Sequence, residues 1–476
     1  NYCASGSTSV PPAFAVDHPS SEIVLIDAPP ADEIVTVQYF SGPHTGLRQF
    51  VDEMTHVDAS ISVGGTCSTI QKPHLPQLRD AGATTLSLPH YYYTPLETTN
   101  VASQHRCLMS TVWNTNWGVN MIFDTFRDKL DDLSVTNVDL VFTEYGQKFR
   151  YVGDTEVPTA KYARSLDNGL WTASILIQCI RQRIAAAARW GFVNDGGYPS
   201  FCLFSRNVDT NAQAESYWAH PAGLAYQQFA RLDGCNIVYC RVCDSPTNWW
   251  GATGYDEIEA VAALSTNGYQ LRLLVLNKSF EDIPARLHFN CFEPYRTAAR
   301  CILTSSNVTD RNLSNYRPVT IQEDLIKGMS NNYSHTFPRI SISVIEMQAD
   351  NDRDDLPDEW EFQFSASLTN LSFSSDRDGD RLCDGHEFLA GTDPTNTASC
   401  LRLLEPELEP GTGVVVRWHS VSDRWYRLDR SSNLLCGFTH VVMTNIPAVP
   451  PTNTVSDSVS DIDKCLFYRI GLETPR

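Results

Sequence analysis

The stretch VDLVFTEYGQKF, residues 138–149, decides how the chain is expected to fold. It begins as a run of strand-forming residues and then delivers a carboxylate, Glu144, followed by Tyr145 and Gly146. An ionised glutamate is costly to bury unless it is paired. Glu144 is therefore either a rim residue held in a surface salt bridge or a functional group at the end of a strand. The stretch alone leaves both interpretations open.

Predicted strands and helices alternate on both sides of this stretch, through residues 1–245. Further strands are predicted at 59–65, at 83–93 and at 190–204, where Gly196 and Gly197 interrupt the last one. Helices are predicted at 46–54, 123–133 and 166–190. The longest of these has no internal proline and is rich in Ala, Leu and Ile, which favour helix. Strands separated by helices indicate parallel βα units, either in a barrel or in a doubly wound sheet.

From about residue 256 the pattern changes to short antiparallel strands. Residues 258–279 contain two alternating strands joined by Asn267-Gly268, a dipeptide typical of tight hairpins. Further short strands continue to 337–347, and the pattern predicts a β-sandwich. Residues 400–476 again contain short strands, with a proline-rich segment at 445–454.

The composition excludes several classes of partner. The chain has 476 residues, a hydrophobic content of 42% and a net charge of −20, so it can build cores but would be repelled by nucleic acid or an anionic membrane. No apolar run approaches the roughly 20 residues that cross a bilayer. A neutral carbohydrate or a divalent cation fits this charge balance.

The fourteen cysteines are dispersed along the chain. Cys235, Cys240 and Cys243 are spaced C-x4-C-x2-C, but no fourth Cys or nearby His completes a zinc pattern, so ordinary thiols are expected. Disulfides between Cys383 and Cys400 and between Cys436 and Cys465 are expected if the protein is exported.

An acidic segment carries the most specific spacing in the sequence. Two twelve-residue stretches, DNDRDDLPDEWE and DRDGDRLCDGHE, place oxygen ligands at positions 1, 3, 5, 7, 9 and 12, the layout of a calcium loop. The predicted ligands are Asp350, Asp352, Asp354, the Leu356 carbonyl, Asp358 and Glu361, and then Asp376, Asp378, Asp380, the Leu382 carbonyl, Asp384 and Glu387. The competing interpretation is a solvated acidic linker.

Position 6 of each loop is Asp355 or Arg381 instead of glycine, so an EF-hand pair is not expected. The segment resembles thrombospondin type 3 repeats, whose rhythm continues into GTDPTNTAS at 391–399. The resemblance adds Asp393 and Asn396 as further candidate ligands. It implies structural Ca²⁺ that stiffens the joint between domains and takes no part in chemistry.

The first 350 residues resemble a known enzyme family. The stretches VDASISVGG, LSLPHYYY, LVFTEYG and ARSLDNGLWTASILIQCI, in this order, resemble the second half of the barrel of α-L-arabinofuranosidases of glycoside hydrolase family 51. LRLLVLNKS and FPRISISVIEM are similar to the β-sandwich that follows that barrel. The match covers roughly residues 40–347.

The resemblance implies site residues. Glu144 would be the nucleophile of a retaining hydrolase, and His90 and Tyr92 would line the donor-sugar subsite. A glycosidase also needs aromatic surfaces for sugar rings, and Trp113, Trp117 and Trp190 are the candidates. The alternative is that His90 is a core histidine and that the tyrosines only cap the barrel.

One part of the family pattern has no counterpart in the sequence. The acid/base glutamate of the family follows an asparagine and precedes the equivalent of residues 57–61 by several tens of residues, which places it at or before Asn1. Glu22 and Glu33 lack that context. We therefore expect the chain to be the C-terminal portion of an enzyme, with the acid/base residue and a signal peptide upstream. The tail from 414 resembles C-terminal β-modules of large exported bacterial proteins.

These observations predict a multidomain chain: a partial (β/α)8 barrel over 1–250, an antiparallel β-sandwich over 251–348, calcium repeats over 349–398 and a small β domain over 399–476. The expected function is an extracellular or cell-surface retaining hydrolase of plant or algal polysaccharide, acting on α-L-arabinofuranosyl linkages. A β-xylosidase or endoglucanase is the alternative enzyme. A non-catalytic, calcium-stiffened carbohydrate-binding or cell-surface protein is the alternative from another class.

Overall fold

The computed structural model describes residues 14–17, 22–25, 46–60, 62, 64–66, 82–95, 100–132, 134–136, 138–150, 162–189, 191–193, 202–209, 214–409, 413–459 and 465–473. The helices in these ranges are α1 (Gly46–Val57), α2 (Val101–Val112), α3 (Val119–Asp132), α4 (Leu166–Arg181), α5 (Pro221–Ala230), α6 (Asp358–Phe364) and α7 (Asp384–Ala390). None of them is long and apolar enough to span a membrane.

The strands divide at the start of the hairpin that was predicted from Asn267-Gly268. Before it lie β1 (Phe14–Asp17), β2 (Glu22–Leu25), β3 (Gly64–Thr66), β4 (Thr85–Pro95), β5 (Asp139–Arg150), β6 (Ala186–Arg189), β7 (Phe204–Asp209), β8 (Ala214–Ala219), β9 (Cys235–Val238), β10 (Thr247–Trp250) and β11 (Thr253–Asp256). From it onward lie β12 (Ile258–Ser265), β13 (Gln270–Asn277), β14 (Ile283–His288), β15 (Pro294–Thr304), β16 (Thr320–Lys327), β17 (Asn332–Phe337), β18 (Ser341–Ala349), β19 (Glu407–Glu409), β20 (Gly413–His419), β21 (Trp425–Ser431), β22 (His440–Pro447), β23 (Thr452–Asp457) and β24 (Phe467–Glu473).

The N-terminal part contains a parallel sheet in the order β3-β4-β5-β6. The register of β4 and β5 runs from Thr85 beside Asp139 to Pro95 beside Arg150. Helices α3 and α4 cover the sheet, and Phe142 of β5 meets Phe123 of α3 with ring centroids 5.2 Å apart. The parallel arrangement that the alternating pattern predicted is therefore present in the described part of the chain.

The helix predicted over 166–190 is too long. Helix α4 ends at Arg181, Arg183 takes a left-handed conformation with φ of 50°, and Ala186–Arg189 forms β6 beside β5. Alanine favours helix locally, but β5 needs a hydrogen-bonding neighbour along its second edge, and this pairing overrides the local preference. Of the strand predicted over 190–204, residues 190 and 194–201 lie outside the described residues, and Phe204 opens β7 instead.

Helix α2 was not predicted from the sequence. Its start carries a recognisable signal, because Asn100 precedes the helix and its side chain accepts the Ser103 backbone N–H at 3.1 Å. Asparagine is among the preferred residues at this capping position.

The antiparallel half is built on a six-stranded sheet in the order β16-β15-β18-β13-β12-β9. The hairpin β12–β13 turns at Asn267-Gly268, where Gly268 has φ of 83°, as the sequence predicted. Strands β14 and β17 form a separate pair whose apolar side chains pack on the same core as Ile345 and Met347 of β18. Strand β9 belongs to this sheet although it precedes the hairpin by twenty residues of sequence.

A continuous core joins the parallel sheet to the antiparallel one, with α4 between them. Trp171 and Ile175 of α4 share a cluster of buried residues with Leu274 of β13 and Ile342 of β18. Inside this interface the Glu259 carboxylate is fully buried and accepts hydrogen bonds from Ser174 and from Gln178 at 2.5 Å.

The Glu259 carboxylate is also paired with a buried ammonium group. Lys278 Nζ lies 2.5 Å from Glu259 Oε1, and both side chains are inaccessible to solvent. His105 of α2 closes the network, because its ring contacts Asp167 Oδ1 at 2.6 Å and the Lys278 backbone carbonyl at 2.7 Å. Polar contacts thus connect α2 and α4 to the antiparallel sheet.

The C-terminal part has two three-stranded sheets, β19-β20-β23 and β22-β21-β24. Trp418 and Tyr426, two of the aromatic residues in this tail, meet edge to face at 5.6 Å in their shared core. The two predicted disulfides are wrong, because Cys383, Cys400, Cys436 and Cys465 are all free thiols. The Cys383 sulfur lies 3.2 Å from the His386 Nδ1 atom one helical turn away.

Replacing Lys278 with alanine is expected to lower the free energy of unfolding by about 3 kcal/mol, because the substitution leaves Glu259 buried without its counter-charge. The check is the thermal and urea unfolding midpoint compared with Lys327→Ala, an exposed lysine on β16. The double variant Glu259→Met plus Lys278→Met should recover most of the loss. Equal midpoints for Lys278→Ala and Lys327→Ala would contradict the role given to the pair.

Candidate functional site

Glu144 lies on β5 directly beside Pro89 of β4, and the next pair along the strands is His90 with Tyr145. The structure therefore brings Glu144 and His90 to the same level of the parallel sheet, as the sequence predicted. Glu144 is half-buried. A carboxylate here is shielded from bulk water on the sheet side and still accessible from one face.

A bulge in β5 sets the direction of the Glu144 side chain. The register between β5 and β6 shifts between Phe142 and Tyr145, and the rings of these two residues stack with centroids 5.4 Å apart. Both rings therefore face the helices, and Thr143 and Glu144 form the extra step between them. Because successive strand residues point to opposite faces, Glu144 projects away from α4.

Tyr145 anchors the strand immediately after Glu144. It is fully buried, and its hydroxyl lies 2.5 Å from the hydroxyl of Tyr226 on α5. Burial raises the pKa of Tyr145 well above its ordinary value, and the neighbouring Tyr226 adds to this, so the phenol stays protonated. The contact fixes the backbone that carries Glu144.

Tyr92 is a core residue, which is a correction to its predicted role. Its ring is 1% exposed and packs edge to face on Trp171 with centroids 5.5 Å apart. Burial raises the pKa of Tyr92 well above its ordinary value. Contact between this ring and a sugar is incompatible with such burial, because the ring faces the helix layer.

His90 is half-buried, and its ring meets Tyr92 edge to face at 4.6 Å. Burial lowers the pKa of His90 to about 4, so the imidazole is neutral at neutral pH. A neutral imidazole offers one donor and one acceptor, which suits recognition of a sugar hydroxyl better than that of an anion.

The structure separates the predicted tryptophans from Glu144. Trp113 follows α2, and Trp117 lies 49% exposed in the next turn. This turn leads into α3, whose Asp124 accepts a hydrogen bond at 3.1 Å from Gln182, the residue after α4 and just before β6. The tryptophans thus lie near the amino edge of the parallel sheet. Trp190, the third candidate, lies outside the described residues.

Arg189 at the end of β6 was missed by the sequence analysis. It is beside Tyr145 in the sheet, is buried, and donates from Nη1 to Thr172 Oγ1 at 2.5 Å. Its guanidinium lies 5.9 Å from the centre of the Trp171 ring. The residue was hidden because the segment was read as the end of a helix.

The first acidic loop gathers carboxylates without donors to satisfy them. Oxygens of Asp352, Asp354 and Glu361 all lie within 4.8 Å of one another, and so do oxygens of Asp350, Asp352 and Asp358. Glu361 is fully buried, and neither of its oxygens has a hydrogen-bond partner within the described residues. Burial raises the pKa of Glu361 to about 9, with Asp354 adding to the effect.

The second loop repeats this arrangement. Oxygens of Asp376, Asp378 and Asp380 lie within 4.8 Å of one another. Glu387 is buried, accepts one hydrogen bond from Thr392 at 3.1 Å, and leaves Oε2 without a partner in the described part of the chain. Burial raises the pKa of Glu387 to about 7. Clustered oxygens that lack donors fit a hard divalent cation.

The carboxylates at position 9 are already engaged. Both oxygens of Asp358 accept hydrogen bonds from Asn351, at 2.8 and 2.5 Å. Asp384 likewise accepts the Arg377 backbone N–H at 3.0 Å and the Ser375 hydroxyl at 2.5 Å. Because both side chains are fully buried, these residues close the loops from within, and direct ligation is not their main role.

The two additional candidates close turns of their own. Asp393 Oδ1 accepts the Thr395 backbone N–H at 3.0 Å, and Asn396 Oδ1 accepts the Ala398 N–H at 3.1 Å. The backbone N–H groups of Leu356 and Leu382 donate to Asp354 and Asp380, at 2.9 and 2.7 Å, which holds those ligand carboxylates in place.

No protein-family model matches the sequence, and no curated protein matches it. Solved structures do match. An α-L-arabinofuranosidase from Thermotoga maritima, solved with arabinose, is 18% identical, with a TM-score of 0.50 over 64% of this chain and 61% of that one. A family 51 arabinofuranosidase from Xanthomonas axonopodis pv. citri is 14% identical, with a TM-score of 0.50 over 63% of each chain. The chain has a fold like that of family 51 arabinofuranosidases.

The chain spans about three-fifths of the length of these enzymes. At such identities the similarity concerns the fold alone. What it adds to the geometry is a context in which a parallel sheet is followed by an antiparallel one, the order seen here.

Replacing Arg381 with glycine is expected to raise the unfolding free energy of the acidic segment by on the order of 0.5–1 kcal/mol. Arg381 occupies position 6 with φ of 82°, a left-handed conformation that costs a residue with a side chain more than glycine. The check is the thermal midpoint of the segment. The matched control is Arg377→Gly, an exposed arginine in the same loop at ordinary φ, which should lower stability. A loss for both variants would contradict the strain at position 6.

Proposed function

We propose that the chain carries the nucleophile of a retaining glycoside hydrolase, Glu144, and that its substrates are α-L-arabinofuranosyl linkages of plant or algal polysaccharide. The observation that carries this proposal is a half-buried carboxylate on a bulge of a parallel strand, in a chain with a family 51-like fold. The neutral imidazole of His90 at the same level supports a neutral substrate.

In this proposal the Glu144 carboxylate attacks the anomeric carbon and forms a glycosyl ester, which water then hydrolyses. The leaving oxygen takes a proton from a second carboxyl group, expected upstream of Asn1. Tyr145 and Tyr226 hold the backbone of Glu144 from the helix side, which keeps the nucleophile in one position. A related β-xylosidase or endoglucanase would use the same ester and differ in the sugar it accepts.

The proposal predicts a covalent ester at Glu144. Incubation with 2,4-dinitrophenyl α-L-arabinofuranoside should transfer one pentosyl group to the peptide that contains Glu144, detected by mass spectrometry. This leaving group departs without protonation, so the ester forms whether or not the acid residue is present. Dinitrophenol release should fall by on the order of 10³-fold or more in Glu144→Gln, because the amide keeps the shape and loses the nucleophile.

The matched control is Asp139→Asn, which changes a carboxylate at the start of the same strand and should leave release unchanged. In Glu144→Gly, added azide should restore release and give the product of inverted anomeric configuration. A non-catalytic carbohydrate-binding protein would show neither ester nor azide rescue.

We also propose that the two acidic loops bind structural Ca²⁺. The ligands of the first site would be Asp350, Asp352, Asp354, the Leu356 carbonyl and Glu361, and those of the second Asp376, Asp378, Asp380, the Leu382 carbonyl and Glu387. What supports this is buried carboxylate oxygen without a donor in both loops. A bound cation would supply the charge that these oxygens lack, and it would make no contact with the proposed nucleophile.

The first loop is attached to the antiparallel sheet through side chains. Arg296 pairs with Asp355 at 3.2 Å, Arg353 pairs with Glu293, and Gln270 donates to Glu359 at 2.7 Å. The cation would therefore stiffen the connection between the sheet and the residues that follow. An extracellular or cell-surface location, where calcium is abundant, fits this proposal.

Calorimetric titration with Ca²⁺ should show at least two bound ions, and Glu361→Gln should lose one. The control is Glu359→Gln, on the same helix two residues earlier, which should keep both. Asp378→Ala plus Asp380→Ala should lose the other ion. Because the metal-free pKa of Glu361 is raised to about 9, binding at pH 7 should release protons, and affinity should rise with pH up to that value. No binding heat in the unmodified chain would contradict the proposal.

A further inference from the structure

A cavity of about 350 Å³ lies between the end of α2 and the outer face of α3. The side chains that matter for its chemistry are Trp113 and Asn114 from the turn and Asn120, Asp124 and Asp128 from α3. Residues 120, 124 and 128 are spaced by four, so they form one row along the helix. A cavity of this size can hold a small ligand or one end of a longer one.

The cavity is separate from the proposed nucleophile. Gln182 donates to Asp124 at 3.1 Å, and this glutamine follows α4 and precedes β6, so the cavity lies at the amino edge of the parallel sheet. Glu144 is five residues further along β5 than Asp139, about 16 Å toward the carboxyl edge.

The polar groups of the cavity are those that recognise hydroxyls. Asp124 and Asp128 are exposed and stand one helical turn apart, an arrangement that repulsion makes unfavourable in an isolated helix. No lysine or arginine is among the described residues that line the cavity, so their charge is not neutralised there. The carboxylates accept hydrogen bonds, and the two asparagines both donate and accept.

Trp113 supplies an aromatic wall and an unused donor. Its indole N–H is buried and has no hydrogen-bond partner within the described residues. The Lys278 ammonium group lies 5.3 Å from the ring centroid and holds the ring in place from the interior. An immobilised indole beside carboxylates and amides is a surface on which a sugar ring can stack while its hydroxyls are bound.

We infer that this cavity is a second saccharide site, which binds a neutral pentose-containing polysaccharide away from Glu144. An anion would be repelled by the two carboxylates, and an apolar ligand would leave them without partners. Sugar hydroxyls would donate to Asp124 and Asp128, and a hydroxyl oxygen would accept the Trp113 N–H. The choice of pentose rests on the proposed function, and such a site would hold the chain on an insoluble or polymeric substrate.

The test is affinity electrophoresis in native gels that contain soluble arabinoxylan, with the unmodified chain, Glu144→Gln, Asp128→Ala and Asp132→Ala. Asp132→Ala is the matched control, an exposed aspartate at the end of the same helix that does not line the cavity. The polymer should retard the unmodified chain, Glu144→Gln and Asp132→Ala equally. Asp128→Ala should bind about tenfold more weakly, because it loses charge-assisted hydrogen bonds.

Absence of retardation, or equal retardation of Asp128→Ala and Asp132→Ala, would overturn the inference. If the carboxylates hold a cation instead, Asp128→Ala would lower the number of calcium ions bound without changing migration, which would also overturn it. The failures are distinguishable, because an ester at Glu144 without Asp128-dependent retardation refutes only this site. Retardation without the ester refutes only the proposed nucleophile.

Discussion

The buried carboxylate of Glu259 is the constraint on which the arrangement of the two large sheets depends. It lies at the interface between α4 and the antiparallel sheet, fully removed from water, and it must be given donors there. Ser174 and Gln178 supply them from the helix, and Lys278 supplies a counter-charge from the residue after β13. All three donors must be in place together, so the helix and the sheet can pack in only one relative position.

The position of α4 then determines what the parallel sheet can present. Trp171 faces that sheet from the helix, and Tyr92 and Tyr145 both pack their rings near it, with centroids 5.5 and 6.2 Å away. Because these tyrosines are drawn toward the helices, the residue before Tyr145 is turned to the other face. The accessibility of Glu144 is thus a consequence of aromatic packing on the opposite side of its own strand.

Glu259 and Glu361 show two solutions to the same physical problem. Both are fully buried glutamates, but Glu259 has three hydrogen-bonding partners while neither oxygen of Glu361 has one in the described part of the chain. The first is satisfied within the protein and serves the packing of two layers. The second is surrounded by other carboxylates, and only a cation from outside could balance that charge.

The sequence by itself determined the features that depend on neighbouring residues: the hairpin at Asn267-Gly268, the strands around His90 and Glu144, and the spacing of the acidic loops. Tertiary structure decided the rest. Ala186–Arg189 became a strand because β5 offered it an edge, and Tyr92 became a core residue because Trp171 lies above it. Asp358 turned inward because the Asn351 N–H groups were left to satisfy. In each case the deciding partner is distant in the chain or set by the folded backbone, so local propensity carries no record of it.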